Sequence, residues 1–168
     1  EERRANPGQT VSKDVFVERL ERRYGEVSAF NEAWGLELDS FEELKKGIYK
    51  AASLSERAAA DLQAFSEEMI TRYVEIPARE LRKVDKNHLN LGMRYAYITD
   101  KSLLCGSENF DVFSINSYQI TPLEPVEQVS GWLDKPVMVG EFHQGALDKG
   151  LTAHGIRGVT TQKERGCA

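Results

Sequence analysis

Five side chains able to handle a polar substrate fall at or just beyond the ends of apolar runs: Arg94, Asn116, Tyr118, Glu141 and His143. Glu141 follows Val137-Met138-Val139, a run entered through Lys135-Pro136 and ended by Gly140. A short apolar run between turn residues reads as a strand buried on both faces. In alternating βα proteins, reactive groups collect at the carboxyl ends of such strands, where side chains leave the packed core and meet the loops. A carboxylate among donors suits glycoside hydrolysis, in which one carboxylate attacks the anomeric carbon and a second protonates the leaving oxygen. Arginine and tyrosine nearby would supply the charge and hydrogen bonds that hold the attacking group ionised. On position alone, a carboxylate paired at a loop mouth for structural reasons is the rival reading of Glu141.

Other chemistries find less support. No Gly-x-Gly-x-x-Gly follows a strand, no P-loop occurs, and no serine sits in a Gly-x-Ser-x-Gly elbow. His143, His154 and Asp148 match no metal-ligand spacing, and Cys105 and Cys167 form neither a metal motif nor a disulfide framework. Neither metal nor cofactor is expected. The 168 residues are 40% hydrophobic and 29% charged with a net charge of −5, a soluble composition at single-domain length. The acidic balance, without a Lys/Arg cluster, argues against a nucleic-acid partner. No apolar run approaches the ~20 residues of a membrane span. Glu1-Glu2-Arg3-Arg4 does not resemble a signal peptide, and the compartment is left open.

The elements that must position these groups follow from periodicity and caps. Ser12 is expected to cap a helix with Val15, Phe16, Leu20 and Tyr24 on one face, ended by Gly25. Ser40 with Glu43 has capping-box spacing, as does Ser53 with Glu56. The second box opens the longest helix, with an apolar stripe of Leu62, Phe65, Met69, Tyr73 and Ile76, a kink at Pro77, then Leu81 and Val84. That stripe reads as core. Residues 89–97 alternate as a strand, 110–118 form a second, and Thr121 with Glu124 caps a helix with Pro122 in its first position. The strand within residues 135–143 and a glycine-punctuated loop over 145–158 come next. Thr161 with Glu164 opens a last helix, which has barely two turns before Ala168. Strands alternating with helices imply an α/β fold with a parallel sheet. The chain is expected to be part of a longer one.

The segment Lys135-Pro136-Val137-Met138-Val139-Gly140-Glu141-Phe142-His143-Gln144-Gly145-Ala146-Leu147-Asp148-Lys149-Gly150 resembles the seventh-strand nucleophile segment of clan A glycoside hydrolases. The likeness is closest to β-agarases and β-galactosidase-like enzymes, in which arginine usually stands at the position of Lys149. Residues 85–95 resemble the fifth strand with its preceding turn, and residues 110–118 the sixth, whose terminal tyrosine commonly reaches the nucleophile. Arg23-Tyr24-Gly25 through Phe30-Asn31-Glu32-Ala33-Trp34-Gly35 is similar to a segment after the fourth strand.

The resemblance implies a partial (β/α)8 TIM barrel covering about strands five to seven, with residues 1–54 as the helical region after strand four. Residues 55–168 would run from the fourth helix through the seventh strand into the next helix. It implies a retaining glycosidase acting on β-linked galactosides or agarose-like polysaccharide, with Glu141 as nucleophile. Arg94, Asn116, Tyr118, His143, Asp148 and Trp34 are then candidates for binding sugar. Trp34 and Asn31 read equally as a packed indole and a local Asx turn. Asn31-Glu32 mimics the acid/base pair of this clan, yet what precedes it is amphipathic helix rather than a buried strand. The acid/base is therefore expected outside this chain, leaving the chain alone inactive. A non-catalytic α/β carbohydrate-binding or scaffold domain is the alternative.

Overall fold

The computed structural model describes residues 11–46, 54–150 and 152–167. The chain divides into two units, Glu1–Ser66 and Glu67–Ala168.

In the first unit, α1 (Val11–Tyr24) and α2 (Val27–Trp34) are separated by Gly25 at φ 73° and followed by a 3-10 turn, Phe41–Lys46. Helix α1 already includes Val11, so Ser12 lies inside the first turn rather than capping it. Leu20 is buried, and Phe16 and Tyr24 pack against the same core as expected; Val15 alone of the expected face stays exposed, at 45%, and Val17 is buried in its place. These residues join Phe30, Trp34, Phe41, Leu44 and Ala58 in one core. The box at Ser40 does not close: Glu43 accepts from the backbone N–H of Asp39 at 3.2 Å, and its own N–H bonds to the Ser40 carbonyl. Ser53 lies outside the described residues. The hydroxyl of Ser55 caps the next helix, α3 (Glu56–Val84), accepting from the Ala58 N–H at 3.1 Å and donating to the Ala33 carbonyl at 2.6 Å.

The second unit takes the rest of α3, which runs through Pro77 without ending. The expected core stripe is overturned along this stretch. Met69, Tyr73, Ile76, Leu81 and Val84 are exposed, and Val74 and Ala78 are buried instead. Gly106 explains the rotation. At φ 84° it presses the following loop onto the helix, where a Cβ would meet Val74 Cβ at 3.0 Å and Thr71 Cα at 3.1 Å. No helix among the described residues is long and apolar enough to cross a membrane.

Strands β1 (Phe113–Asn116) and β2 (Val137–Glu141) pair in parallel and are joined by α4 (Leu123–Leu133). Phe113 and Ile115 face the helices and pack with Val74, Leu104, Phe110 and Val129, with Val137 and Val139 half-buried against them. Met138, on the other face, is 38% exposed. The described residues therefore cover β2 on one face rather than the expected two.

The strand expected over 89–97 shrinks to a single parallel bridge, Tyr95 to Ile115. Gly92 at φ 74°, its N–H bonded to the Asn90 side chain at 3.0 Å, turns the chain just before the bridge. Leu89 and Tyr97 project outward at 66% and 79% exposure. Helix α4 begins one residue later than expected: Pro122 is its N-cap, and the Thr121–Glu124 box is absent because no side chain caps that end. The glycine-rich stretch forms a two-residue parallel pair, β3 (Gly145–Ala146) with β4 (Gly158–Val159). The box of Thr161 with Glu164 closes on both sides and opens α5 (Gln162–Arg165).

Candidate active site

A one-residue bulge aims Glu141. The ladder pairs Phe113 with Val137, Ser114 with Met138 and Ile115 with Val139, then skips Gly140 and pairs Asn116 with Glu141. Strict alternation would turn Glu141 toward the helices with Val137 and Val139. The extra residue turns it onto the face of Ser114 and Asn116 instead, a known use of bulges beside functional sites. Only glycine fits at the skipped position, since a Cβ on Gly140 would lie 2.1 Å from Ser114 Oγ. The Ser117 N–H, bonded to the Glu141 carbonyl at 3.0 Å, continues the pairing beyond the bulge.

On that face both carboxylate oxygens are held. Arg94 Nη1 donates to Oε2 at 2.7 Å, and the Tyr118 hydroxyl donates to Oε1. Arg94 arrives there because its neighbour Tyr95 stacks its ring on Phe113 in the core, 4.8 Å between centroids. The hydrogen bond to Glu141, followed by partial burial and the charge of Glu141, raises the Tyr118 pKa above its ordinary value. A raised pKa favours the protonated phenol, so Tyr118 remains a donor through neutral and mildly alkaline pH. The nearby Asn116 side chain opposes the rise. Asn116 Oδ1 is buried with no partner among the described residues.

The other expected site residues lie elsewhere. The His143 ring lies against Gly155, where a Cβ would come within 2.1 Å of Nδ1, and it lines a separate hollow with Phe142, Gln144 and Arg165. Asp148 accepts from the Gln162 N–H at 3.0 Å at the start of α5. Trp34 belongs to the first unit and is 1% exposed, with its indole N–H donating to Asp61 Oδ2 at 2.9 Å. A sugar cannot stack on a buried ring, so the rim reading of Trp34 gives way to the packed indole. Asn31 correspondingly makes a local loop contact, exchanging bonds with Leu38 at 2.9 and 3.1 Å. Glu32 sits on α2, not at the end of a strand. Among the described residues no three potential ligands cluster as a metal site.

Two features escaped the residue pattern. Tyr97 and Ser117 line, with Asn116, Tyr118, Ile156 and Arg157, a groove of about 370 Å³. Tyr97 reads in sequence as one more alternating strand residue, and Ser117 as an ordinary strand-end hydroxyl. Asp61 is the other. It is 3% exposed, accepts from the Tyr24 hydroxyl at 2.6 Å and from Trp34, and pairs with Arg23. An aspartate facing the aromatic side of an otherwise amphipathic helix was the available signal.

Known proteins resemble this chain in sequence and in backbone fold. Residues 9–149 match the glycoside hydrolase 42 family, described as Beta-galactosidase. The chain is 31% identical over 161 residues to Beta-agarase B of Vibrio sp. (strain JT0107), covering 92% of this chain and 16% of that protein. Beta-agarase A of the same strain is 31% identical over 166 residues, with the same two shares covered. Among solved structures, an exo-beta-agarase superposes with a TM-score of 0.80 at 28% identity, over 92% of this chain and 22% of that one. An agarase, AgWH50C, superposes with a TM-score of 0.78 at 32% identity, over 96% and 23%. The chain thus spans about a sixth of the length of the curated relatives it matches.

Proposed function

We propose a function from one premise: the chain belongs to the glycoside hydrolase 42 (Beta-galactosidase) family, within the glycoside hydrolases related to β-agarases. It is the nucleophile-bearing part of a retaining glycosidase that cleaves β-linked galactosides or agarose-type polysaccharide. Its strands form part of a (β/α)8 barrel, and Glu141 sits at a carboxyl-terminal strand end, where barrel enzymes place their chemistry.

The observation that carries the reading is the carboxylate itself, with one oxygen on Arg94 and the other on the Tyr118 hydroxyl. In a retaining mechanism such a carboxylate attacks the anomeric carbon as the glycosidic C–O bond breaks, giving a covalent glycosyl-enzyme. A second carboxyl group protonates the departing oxygen, then takes a proton from the water that releases the sugar. Glu32, on a helix, is unsuited to that role, and the acid/base is assigned to a part of the protein outside residues 1–168. Arg94 and Tyr118 fix the orientation of the attacking oxygen.

A fluorinated galactosyl inhibitor that traps the glycosyl-enzyme should label Glu141 in the full-length protein, as read by peptide mass spectrometry. Labelling of another carboxylate would end the assignment. Glu141→Gln separates this reading from a carbohydrate-binding module. A nucleophile loses nearly all turnover while substrate binding survives, whereas a binding module shows only altered affinity.

A further inference from the structure

A concentration of positive charge in the second unit lies apart from the candidate active site. Arg79, Arg82 and Lys83 on the last turns of α3, with Lys86 just beyond it, line a hollow of about 510 Å³ together with Ala78 and Asn109. Asn109 leads into the amino end of β1. Beside it Lys135, just before β2, donates to the carbonyls of Ser107 and Phe110 at 2.6 and 2.7 Å. Glu141 closes the carboxyl end of β2, so hollow and carboxylate lie at opposite ends of the parallel pair. Among the described residues the lining carries four cations and no carboxylate. Carboxylates meet these cations from outside it: Glu75 and Glu80 on Arg79, Glu80 on Lys83, and Asp111 on Arg82. Such pairs leave donors unspent, because a guanidinium has five N–H groups and an ammonium three. Lys86 has no side-chain partner among the described residues. Cations in a last helical turn also complement the helix dipole. That accounts for Arg82 and Lys83, but not for Arg79 a turn earlier or Lys86 past the helix end.

We propose that this hollow binds one tetrahedral oxyanion group, a sulfate or a phosphate, away from the site of bond cleavage. Donors from four side chains exceed what the two oxygens of a carboxylate can take, whereas a sulfate or phosphate group offers three or more. Arginine forks match such oxygens two at a time. The space is larger than a bare ion needs, which leaves room for the molecule that carries the group. A net charge of −5 disfavours a densely charged polymer such as nucleic acid, which would meet repulsion outside the hollow. A single anionic group inside it meets cations. Two sources share this chemistry: a sulfate ester on a polysaccharide, and the free inorganic ion. Arg79, Arg82, Lys83 and Lys86 are all exposed, so the binding weakens as salt rises. The site needs only these side chains and stands independently of the glycosidase reading.

Lysine footprinting of the full-length protein tests this: brief acetylation with acetic anhydride at constant ionic strength, read residue by residue by peptide mass spectrometry. Inorganic sulfate and inorganic phosphate should each protect Lys83 and Lys86, with half-protection at about 1–10 mM, the range expected of several exposed charge pairs. Lys163, exposed and outside the hollow, should acetylate at an unchanged rate. Arg79→Gln should raise the half-protecting concentration about tenfold. Its melting temperature should barely move, because the ion pairs it gives up are exposed. Lys86→Gln, which removes a charge without a partner to lose, should weaken the protection of Lys83 by a similar factor. A sulfated galactan oligosaccharide that protects at lower concentration than inorganic sulfate assigns the site to a sulfate ester. The reverse order assigns it to the free ion, and either result supports the site. No protection at about 50 mM sulfate, equal protection of Lys163, or unchanged midpoints in both variants would each overturn it.

Discussion

Replacing Gly140 by alanine puts the geometry that aims Glu141 under direct test. The new Cβ would stand 2.1 Å from Ser114 Oγ and 3.5 Å from Ser114 Cβ, with Arg94 Cγ at 3.9 Å. The last two are ordinary contacts; the first is not. Ser114 is 3% exposed, so its hydroxyl has little free space to move into. Overpacking of this kind destabilises by about 1–3 kcal/mol. For a chain of this size that lowers the melting temperature by about 2–12 °C. Because the clash is with one oxygen atom, Ser114→Ala should relieve it: the nearest atom is then the Cβ at 3.5 Å. The double variant should melt close to Ser114→Ala alone, and the cycle should show a coupling of about 1 kcal/mol or more. Thermal unfolding of the four proteins by circular dichroism measures it. If the two substitutions simply add, the oxygen is not what excludes a side chain, and the account of the bulge fails.

Asp61→Ala should destabilise the first unit by about 3–5 kcal/mol, since the Trp34 N–H and the Tyr24 hydroxyl lose a buried acceptor and Arg23 its partner. Urea unfolding followed by tryptophan fluorescence reads this, and a loss below about 1 kcal/mol would refute it. The second unit should lose stability in acid. Asp85 is held below the usual carboxylate range by the N–H groups of His88 and Asn87 and by the His88 ring, Asp100 by Ser102, and Asp111 by the Asn90 N–H and Arg82. Each folded pKa lies below an unfolded value of about 3.9, so the stabilisation is complete above that pH and vanishes as pH falls through the folded value. Melting temperature should stay flat from pH 7 to about 5 and drop below about 4, with a smaller drop in Asp111→Asn. A profile that is flat down to pH 3 would contradict these bonds.

How much of this was legible depended on whether a signal was local. The closed box of Thr161 and Glu164 involves residues three apart, and the structure contains it as the spacing predicts. Strand β2 was legible for the same reason: proline, apolar run and glycine are contiguous. Signals that depend on distant packing misled. Met69, Tyr73 and Ile76 have helical spacing and apolar character, yet Gly106, some thirty residues on, decides that Val74 faces the core. Residues 89–97 alternate well, but a φ of 74° at Gly92 breaks the extended backbone before the run can pair. Trp34 has the chemistry to stack on sugar, and Asp61 claims its indole first.

The site itself turns on parity. Tyr95, Phe113, Ile115, Val137 and Val139 commit their side chains to the helix-covered core. Each commitment sends the alternate residue to the opposite face, which is how Arg94, Ser114 and Asn116 come to share it. Counting by twos from Val139, Glu141 should join the core, where an ionised carboxylate would be expensive to bury. Alternation along the strand therefore contradicts the chemistry that the strand end suggests. The contradiction disappears with one residue that takes no part in the count, and that residue must lack a side chain because the opposing serine fills the space. Gly140 is thus as much a part of the candidate site as the residues that bond Glu141. Inserting or deleting one residue at this position should swing the carboxylate to the other face and abolish both its bonds, while leaving every side chain of the site unchanged in identity.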